Sequence, residues 1–327
     1  MNLRSKTTSV IPRRGFATLF AAVVAFATVS PLFPATRSEG LDKPKFEVFP
    51  VGEWPVSLAF DGTNIWVVNS SGSSVTKLLA ADGTTLGTFD LGTWPSYAAF
   101  DGANIWVTNS GDDTVTKLRA SDGALIGTFT VGDGPGAILF DGQNIWIANA
   151  IDESLMKLRP SDAAILGTFP VGDPRRMTFD GTNIWIANNY QGTVTKLRAS
   201  DGALQGIFDS GGNYSFGVLF DGTKIWVSNP GYEWNEETVT TLRARDGSSI
   251  GSFIVNPGPG NFATDSKRIW VLTFMRNIVV ELRARDGARL NTYPINRSTG
   301  DILYDGSNLW ITNQRENTVT KISRLRP

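Results

Sequence analysis

Short segments of alternating apolar and polar residues, separated by turn residues, run along most of the chain. The segment from Ser96 to Phe100 is apolar and ends at Asp101-Gly102, and the segment from Thr114 to Leu118 alternates as V-T-K-L. Alternation with a period of two predicts half-buried β-strands, and Asp-Gly predicts the hairpin turns that join them. No segment of the sequence shows the period of an α-helix over any length. The pattern therefore predicts an all-β protein.

One hairpin sequence, D-G-x-N-I-W or a close variant, recurs seven times. It ends at a tryptophan each time, and the spacings between successive tryptophans are 40, 40, 39, 41, 44 and 40 residues. In the second repeat we expect strands A to D over residues 96–100, 104–109, 114–118 and 125–131. A period near 40 with four short strands per unit is typical of a β-propeller blade. The sequence predicts a seven-bladed β-propeller of four-stranded antiparallel blades over residues 41–327.

The two ends of the repeat region complement each other. The last repeat has strands A, B and C, over residues 301–304, 308–313 and 318–322, but no strand D. The segment from Phe46 to Gly52 precedes the first repeat and matches the strand D pattern at Phe49, Val51 and Gly52. We expect this N-terminal strand to complete blade 7, because pairing there removes a free sheet edge and closes the ring.

Two residue columns of the repeat predict structural roles. A tryptophan at the same place in every blade is expected to fill the wedge between neighbouring blades, because a large ring buries much apolar area. An asparagine follows three residues later in six repeats, and Thr273 takes its place in the sixth. We expect the asparagine side chains to hold the next loop.

Residues 1–40 have a different composition from the repeats. A basic front is followed by an apolar run from Phe16 to Val29, and Ala25-Phe26-Ala27 places small residues at the spacing of a cleavage site. This order predicts a signal peptide and an exported, periplasmic or extracellular protein. An uncleaved N-terminal anchor is the alternative, and Arg13-Arg14 leaves the twin-arginine and general secretory routes both open. The sequence therefore divides into a leader, residues 1–40, and a propeller that is not embedded in a membrane.

Composition removes several kinds of chemistry. The 327 residues include no cysteine and no histidine, so thiolate catalysis, histidine-based triads and imidazole metal ligands are excluded. Residues 41–327 keep 25 of the 30 basic side chains and 30 of the 31 acidic ones. That acidic balance argues against nucleic acid as a partner and favours a monomer. Any metal would need oxygen ligands, as calcium or magnesium do.

The repeat resembles known propeller families. W-V-T-N at 106–109 and W-I-T-N at 310–313 resemble the signature of YVTN-type repeats, and the D-G-x-N-I-W-V hairpin is similar to NHL-type repeats and to the virginiamycin B (streptogramin) lyases. The resemblance implies a seven-bladed propeller. In those lyases catalysis relies on a histidine, acidic partners and magnesium near the mouth of the ring. The absence of histidine therefore separates this chain from the catalytic members.

The repeats also indicate where a ligand site lies. The A–B and C–D turns are nearly identical in all blades, whereas the D–A and B–C loops vary, and variable loops on a rigid scaffold are usual binding positions. One position near the start of strand A also differs in every blade: Ser57, Tyr97, Ala137, Arg176, Gly217, Asn261 and Asp301. These features predict a pocket on the variable side of the ring. The candidate ligand-binding residues are Trp54, Trp94, Tyr97, Arg175, Arg176, Tyr214, Trp234, Asn261, Arg297 and Asp301.

Several alternatives stay open at this point. The aromatic rings could simply fill the end of the channel, and the charged groups could be solvated. Acidic loop pairs such as Asp112-Asp113 and Asp152-Glu153 could bind calcium, although no catalytic residue and no metal ligand is assigned. We expect non-enzymatic binding of a small molecule, peptide or protein. The alternatives are a metal-assisted lyase or hydrolase of a cyclic lactone or depsipeptide, and a structural scaffold.

Overall fold

The computed structural model describes residues 43–231, 237–255, 258–274, 277–295 and 298–325. All regular structure in these residues is β: 28 strands form seven four-stranded antiparallel sheets. Within the same ranges there is no helix long and apolar enough to cross a membrane. The leader predicted over residues 1–40 lies outside the described residues, so its role in export stays a prediction.

Each sheet is one blade, and in blades 1 to 6 the strands follow chain order from A to D. The strands of blades 1 to 3 are β2 (Pro55–Phe60), β3 (Asn64–Asn69), β4 (Ser74–Leu79), β5 (Thr85–Asp90), β6 (Pro95–Phe100), β7 (Asn104–Asn109), β8 (Thr114–Arg119), β9 (Leu125–Thr130), β10 (Pro135–Phe140), β11 (Ile145–Asn149), β12 (Ser154–Leu158) and β13 (Ile165–Pro170). Those of blades 4 and 5 are β14 (Pro174–Phe179), β15 (Asn183–Asn188), β16 (Thr193–Arg198), β17 (Leu204–Asp209), β18 (Val218–Phe220), β19 (Lys224–Asn229), β20 (Thr238–Arg243) and β21 (Ser249–Ile254).

Blade 6 has the same order, and blade 7 combines strands from both ends of the propeller. The strands are β22 (Pro259–Thr264), β23 (Arg268–Thr273), β24 (Ile278–Arg283), β25 (Arg289–Pro294), β26 (Thr299–Tyr304), β27 (Leu309–Asn313) and β28 (Thr318–Ser323), with β1 (Lys45–Pro50) as the outer strand of blade 7. The A strands of neighbouring blades contact each other, so strand A is innermost. The seven-bladed prediction is confirmed, with strand bounds in blade 2 within one residue of those expected.

The predicted closure of the ring is confirmed. Strand β1 pairs antiparallel with β28, from Lys45 opposite Ser323 to Pro50 opposite Thr318. The Phe49 ring lies 5.7 Å from that of Trp310, matching the contact between Trp66 and Phe89 within blade 1. The N-terminal strand therefore supplies both the missing hydrogen-bonded edge and the missing aromatic ring of blade 7.

The seven repeated tryptophans are fully buried, as expected. In blade 2 the Trp106 Nε1 donates to the Asp101 carboxylate at 2.7 Å, and Asn104 also donates to that carboxylate. Burial raises the pKa of Asp101, but the hydrogen bonds from Trp106 and Asn104 outweigh burial and hold the pKa below its ordinary value. The Asp-Gly turn thus satisfies the one polar atom of the buried indole ring.

A lysine of strand C joins each of five blades to the next. We call these residues the interblade lysines; they are Lys77, Lys117, Lys157, Lys196 and Lys321. The Lys77 ammonium lies 5.1 Å from the centre of the Trp66 ring and donates to Ala120 O at 2.7 Å, in the C–D turn of blade 2. The Lys321 ammonium donates to Ala80 O of blade 1 across the closure. A buried cation is tolerated here because the indole face and the turn carbonyls replace its water.

Blades 5 and 6 place the cation on strand B instead. Lys224 lies over Trp226 at 5.0 Å, and Arg268 lies over Trp270 at 4.9 Å. Strand C of blade 6 carries Glu281 at the lysine position, paired with Arg268 at 3.8 Å. Blade 7 explains the change in blade 6: β28 and β1 are not consecutive in the chain, so no C–D turn offers carbonyls to a lysine of blade 6. In blade 5, Lys224 still donates to Arg285 O in the C–D turn of blade 6.

The two sides of the ring are each held by loop-to-loop hydrogen bonds. On the variable face, formed by the D–A and B–C loops, Ser70 N donates to Trp54 O at 2.9 Å. On the turn face, formed by the A–B and C–D turns, Ala80 N donates to Thr63 O at 3.0 Å. The asparagine side chains, which are expected to hold the next loop, are buried and bind strand C instead, and Asn229 also donates to Ser210 O in the D–A loop. Asn109 Nδ2, for example, donates to the Thr114 and Thr116 hydroxyls, because β8 lies directly opposite β7.

The closure contact predicts a stability effect. We expect Phe49→Ala to lower the free energy of unfolding by about 2–3 kcal/mol, because it removes a ring packed on Trp310 from a partly buried site. Urea unfolding measures the change. Val48→Ala, on the same strand with 53% of the residue exposed, is the matched control and should cost less than about 0.5 kcal/mol. A variant that begins at Gly52 and remains a fully stable monomer would show that β1 does not close the ring.

The interblade lysines predict a second effect. Lys117→Met should destabilise the fold by about 2–3 kcal/mol, because it leaves Pro160 O without its buried donor and removes the cation over Trp106. Arg119→Met on the same strand removes only an exposed ion pair with Asp122, so it should change stability by less than about 0.5 kcal/mol. Thermal unfolding of both variants checks the difference, and equal losses would contradict it.

Candidate functional site

A cavity of about 460 Å³ opens at the centre of the variable face. Its wall takes residues from all seven blades, at the start of strand A or just after strand B: Val56, Ser70, Ser96, Tyr97, Ser110, Gly134, Pro135, Gly136, Ala150, Arg175, Arg176, Phe216, Phe274, Thr299, Gly300 and Gln314. Another cavity, of about 600 Å³, lies outside this centre and is lined by Asp209, Gly211, Gly212, Asn213, Glu237, Thr238 and Ile254. The central cavity is the better candidate, since only there do the variable positions of all blades meet.

An ion pair between blades 4 and 7 lies beside the cavity. Arg176 Nη2 is 3.6 Å from Asp301 Oδ1, and both side chains are nearly buried, with 15% and 13% exposed. The Arg176 guanidinium also stacks over the Tyr97 ring of blade 2 at 4.2 Å. Arg176 Nε has no hydrogen-bond partner among the described residues. The guanidinium is therefore fixed in position by a charge and a ring while part of its hydrogen-bonding capacity is unused.

Asp301 is held from several blades. Asn261 Nδ2 of blade 6 donates to Oδ1 at 3.1 Å, and Leu58 N of blade 1 donates to Oδ2 at 3.1 Å. Burial raises the pKa of the Asp301 carboxyl above its ordinary value, while the Arg176 charge and the Leu58 hydrogen bond act in the opposite direction. The carboxyl is thus a structural acceptor whose ionised form depends on Arg176.

Two phenylalanines and a second arginine form one wall of the cavity. Phe216 and Phe274 meet edge to face with ring centres 5.0 Å apart. The Arg175 guanidinium lies 5.0 Å from the centre of the Phe216 ring. Two arginines and no carboxylate are among the lining residues, and Asp301 stands behind Arg176. The cavity can therefore offer a flat apolar surface and a cationic end to a ligand.

The structure brings five of the predicted site residues together. Tyr97, Arg175 and Arg176 line the cavity, and Asn261 and Asp301 support it from behind. Whether these residues bind a ligand stays a prediction.

The sequence analysis missed Phe216, Phe274 and Gln314. A signal for two of them exists, because Phe274 and Gln314 directly follow the asparagine column, where the other blades carry Ser70, Ser110, Ala150, Asn189 and Pro230. That position varies as much as the start of strand A. Phe216 directly precedes Gly217 of the strand A column, at the place that Ser96 has in blade 2 and Arg175 in blade 4, and that place varies between blades as well.

The other aromatic candidates lie away from the central cavity. Trp54 lines a separate shallow groove with Glu53, and Trp94 is 68% exposed and is not among the cavity-lining residues. Both have a positive φ, of 55° and 48°, where blade 3 has Gly134. A bulky residue in this region costs free energy, so the backbone does not account for a tryptophan there. Their binding role stays a prediction.

Tyr214 packs edge to face against Tyr190, with ring centres 5.3 Å apart. Burial raises the pKa of the Tyr214 hydroxyl, and a hydrogen bond with Asn189 opposes this. The tyrosine pair lies outside the wall of the cavity. Two further candidates, Trp234 and Arg297, lie outside the described residues.

The acidic loop pairs hold neighbouring loops. Asp112 accepts hydrogen bonds from Thr93 N and its hydroxyl, and Asp113 accepts one from Gly134 N of blade 3. Asp152 similarly accepts one from Asp133 N. In the part of the chain that the structure describes, no three acidic groups are close enough to hold a metal ion. These carboxylates therefore have structural partners, and calcium or magnesium binding has no assigned site.

Comparisons with known proteins add information about the fold. No family model matches this sequence, and no curated protein sequence matches it either. Among solved structures, the hydrazine synthase of Kuenenia stuttgartiensis superposes with a TM-score of 0.73 at 19% identity, over 82% of this chain and 95% of that one. A streptogramin B lyase superposes with a TM-score of 0.72 at 16% identity, over 86% of this chain and 97% of that one. This chain has a streptogramin lyase-like propeller fold.

The same comparison limits what the fold says about activity. Many other solved structures share this fold, and the two above, a hydrazine synthase and a streptogramin lyase, have different activities. At sequence identities of 19% and 16%, the site residues of these proteins can differ from those of this chain. The shared fold therefore does not determine the function of this chain, which depends on the residues of its own cavity.

The ion pair predicts a pH-dependent stability. We expect Arg176→Gln to lower the free energy of unfolding by about 2–3 kcal/mol at pH 7, because Asp301 is left buried and ionised without its counter-charge. The pKa of the Asp301 carboxyl is higher in the folded state than in the unfolded chain. Its ionisation therefore lowers the free energy of unfolding as the pH rises above the pKa of the unfolded chain. The difference from the wild type should therefore shrink as the pH falls and Asp301 becomes protonated.

Thermal unfolding between pH 4 and pH 8 measures this difference. The double variant Arg176→Gln/Asp301→Asn is the control and should regain most of the lost stability, since no buried charge remains. A constant difference across the pH range would contradict the role of Asp301.

Proposed function

We propose that this protein is an exported, non-enzymatic binding protein that holds a small anionic ligand with a flat apolar part in its central cavity. The observation that carries the proposal is the wall formed by Arg175, Arg176, Phe216 and Phe274, with no carboxylate among the lining residues. Export rests on the signal-peptide pattern of residues 1–40.

The size and polarity of the cavity support a small ligand. Its volume of about 460 Å³ falls within the range of small-molecule pockets, which extends from about 300 to 1,000 Å³. Hydroxyls of Ser70, Ser96 and Ser110 stand on the side of blades 1 and 2, and the arginines and phenylalanines on the side of blades 4 to 6. A ligand with a carboxylate or similar group at one end and a ring at the other fits this division.

Binding without chemistry is supported by the state of the titratable groups. The streptogramin lyases that the sequence resembles use a histidine, and this chain has none. The Asp301 carboxyl, which lies behind the lining residue Arg176, is engaged by Arg176, Asn261 and Leu58. A group with three structural partners is poorly placed to move a proton.

A lyase activity is the second candidate, because the raised pKa of Asp301 is a property that general acids and bases share. It predicts that streptogramin B incubated with the protein and magnesium is converted to a product of altered mass or chromatographic behaviour.

The proposal is tested by calorimetric titration with aromatic carboxylates such as 3-phenylpropionate and indole-3-acetate, each paired with its uncharged amide. We expect the acids to bind and to raise the melting temperature, and the amides to bind at least about tenfold more weakly, because a charge-assisted hydrogen bond contributes about 1.5–3 kcal/mol. Arg175→Gln should cause a loss of the same size.

Arg119→Gln is the matched control, because it also removes an arginine charge, but at an exposed site on the turn face away from the cavity wall. It should leave the affinity unchanged within about twofold. Equal binding of acids and amides, or an equal loss in both variants, would refute the anionic site. Turnover of streptogramin B would replace the proposal with the lyase.

A further inference from the structure

The turn face, on the opposite side of the ring from the cavity, contains grooves between neighbouring blades. One groove of about 330 Å³ lies between blades 5 and 6 and is lined by Asp221, Thr223, Ser266, Lys267, Arg283, Ala284 and Arg285. The groove between blades 3 and 4, about 450 Å³, takes the same repeat positions, with Gly142 and Phe179 in addition: Asp141, Gly142, Gln143, Phe179, Gly181, Thr182, Arg198, Ala199 and Ser200. The repeat thus provides an internal comparison of two grooves on one backbone.

Three cations in the groove between blades 5 and 6 have no cationic counterpart at the same repeat positions of the groove between blades 3 and 4. Lys267 stands where blade 4 has Thr182, and Arg285 where blade 4 has Ser200. Lys224 stands where blade 3 has Asn144, and its ammonium donates to Arg285 O at 3.2 Å, which places it at the groove. The shared turn geometry does not require these cations, because the other groove forms without them.

The acidic groups nearby do not neutralise these cations. Asp286 pairs with both Arg283, at 3.1 Å, and Arg285, at 3.2 Å, so one carboxylate serves two guanidiniums. Lys267 has no ion-pair partner among the described residues. The Asp221 carboxylate accepts hydrogen bonds from Trp226 Nε1 and from Thr223.

The two grooves differ in net charge. Lys224, Lys267, Arg283 and Arg285 face two carboxylates, Asp221 and Asp286. In the other groove, Arg198 and the buried Lys157 face Asp141 and Asp201. The groove between blades 5 and 6 therefore has an excess of two positive charges, whereas the other is balanced, in a protein with an overall acidic repeat region.

We propose that the groove between the turns of blades 5 and 6 binds a short, multiply charged anion of the phosphate type. A single carboxylate would gain little there, because it would only replace Asp286 at Arg283 and Arg285. A group with two or three charges can pair with Lys267 and with both arginines, and phosphate oxygens match the arginine fork. A short ligand fits because Lys267, Arg283 and Arg285 line one groove of about 330 Å³.

Isothermal titration of the full chain with pyrophosphate and tripolyphosphate tests the site. The variant Lys267→Thr/Arg285→Ser gives the groove the residues that blade 4 carries at the same positions, so the fold should tolerate it. We expect at least a tenfold loss of affinity for tripolyphosphate, and a decrease in wild-type affinity with added salt. Arg119→Ser/Arg159→Ser removes two cations from blades 2 and 3 on the same face and should change the affinity less than twofold.

The reciprocal variant Thr182→Lys/Ser200→Arg provides a gain-of-function test. It should add a second tripolyphosphate site in the groove between blades 3 and 4, which the binding stoichiometry reports. ADP that binds as tightly as pyrophosphate supports recognition of the phosphates alone, whatever carries them.

Three outcomes would overturn the proposal: no binding by the wild type, equal losses in the two double variants, or a single-stranded DNA that binds more tightly than tripolyphosphate irrespective of Lys267 and Arg285. The site lies on the opposite face from the central cavity, so its failure would leave the proposed function untouched.

Discussion

The ring depends on a lysine ammonium buried between two blades. In the second blade, Lys117 lies 4.9 Å from the centre of the Trp106 ring and donates to Pro160 O of the third blade. Such a cation is stable only when both the ring and the carbonyl are in place, because neither contact alone replaces its water. In five of the seven blades such a lysine therefore fixes the position of the blade relative to the next, together with the packing of the tryptophans. Blade 6 lacks this lysine where the following blade has no C–D turn to accept it.

Because contacts between the blades stabilise the ring, the sequences of its loops can differ from blade to blade. The start of strand A and the residue after the asparagine column make no packing contact that is common to all blades. These are the positions that meet around the central cavity. Arg176 and Asp301 come from blades 4 and 7, yet they form one ion pair beside that cavity. The cavity is thus formed by residues that the repeat does not specify. For this reason a fold that is shared with a lyase and a synthase says little about the ligand of this chain.

The turn face follows the same logic. Its backbone is nearly constant, so two grooves of the same construction can be compared directly, and the cations Lys267 and Arg285 appear as local departures from the repeat. Departures of this kind are informative because the unaltered blades show what the structure itself requires. The strained tryptophans at residues 54 and 94 are departures on the variable face, and they too have no explanation in the scaffold.

The sequence alone determined the blade count, the strand order, the buried tryptophans and the closure by β1, because each depends on a period of 40 residues or on local alternation. It also identified Tyr97, Arg176, Asn261 and Asp301 as variable positions near the axis, and Arg175 as part of a variable D–A loop. Only the tertiary structure decided that Arg176 pairs with Asp301, that Phe216 and Phe274 form the wall, and that Trp54 and Trp94 lie outside it. Those contacts join residues from blades far apart in the chain. Distances across the axis are set by the closed ring and not by any local pattern.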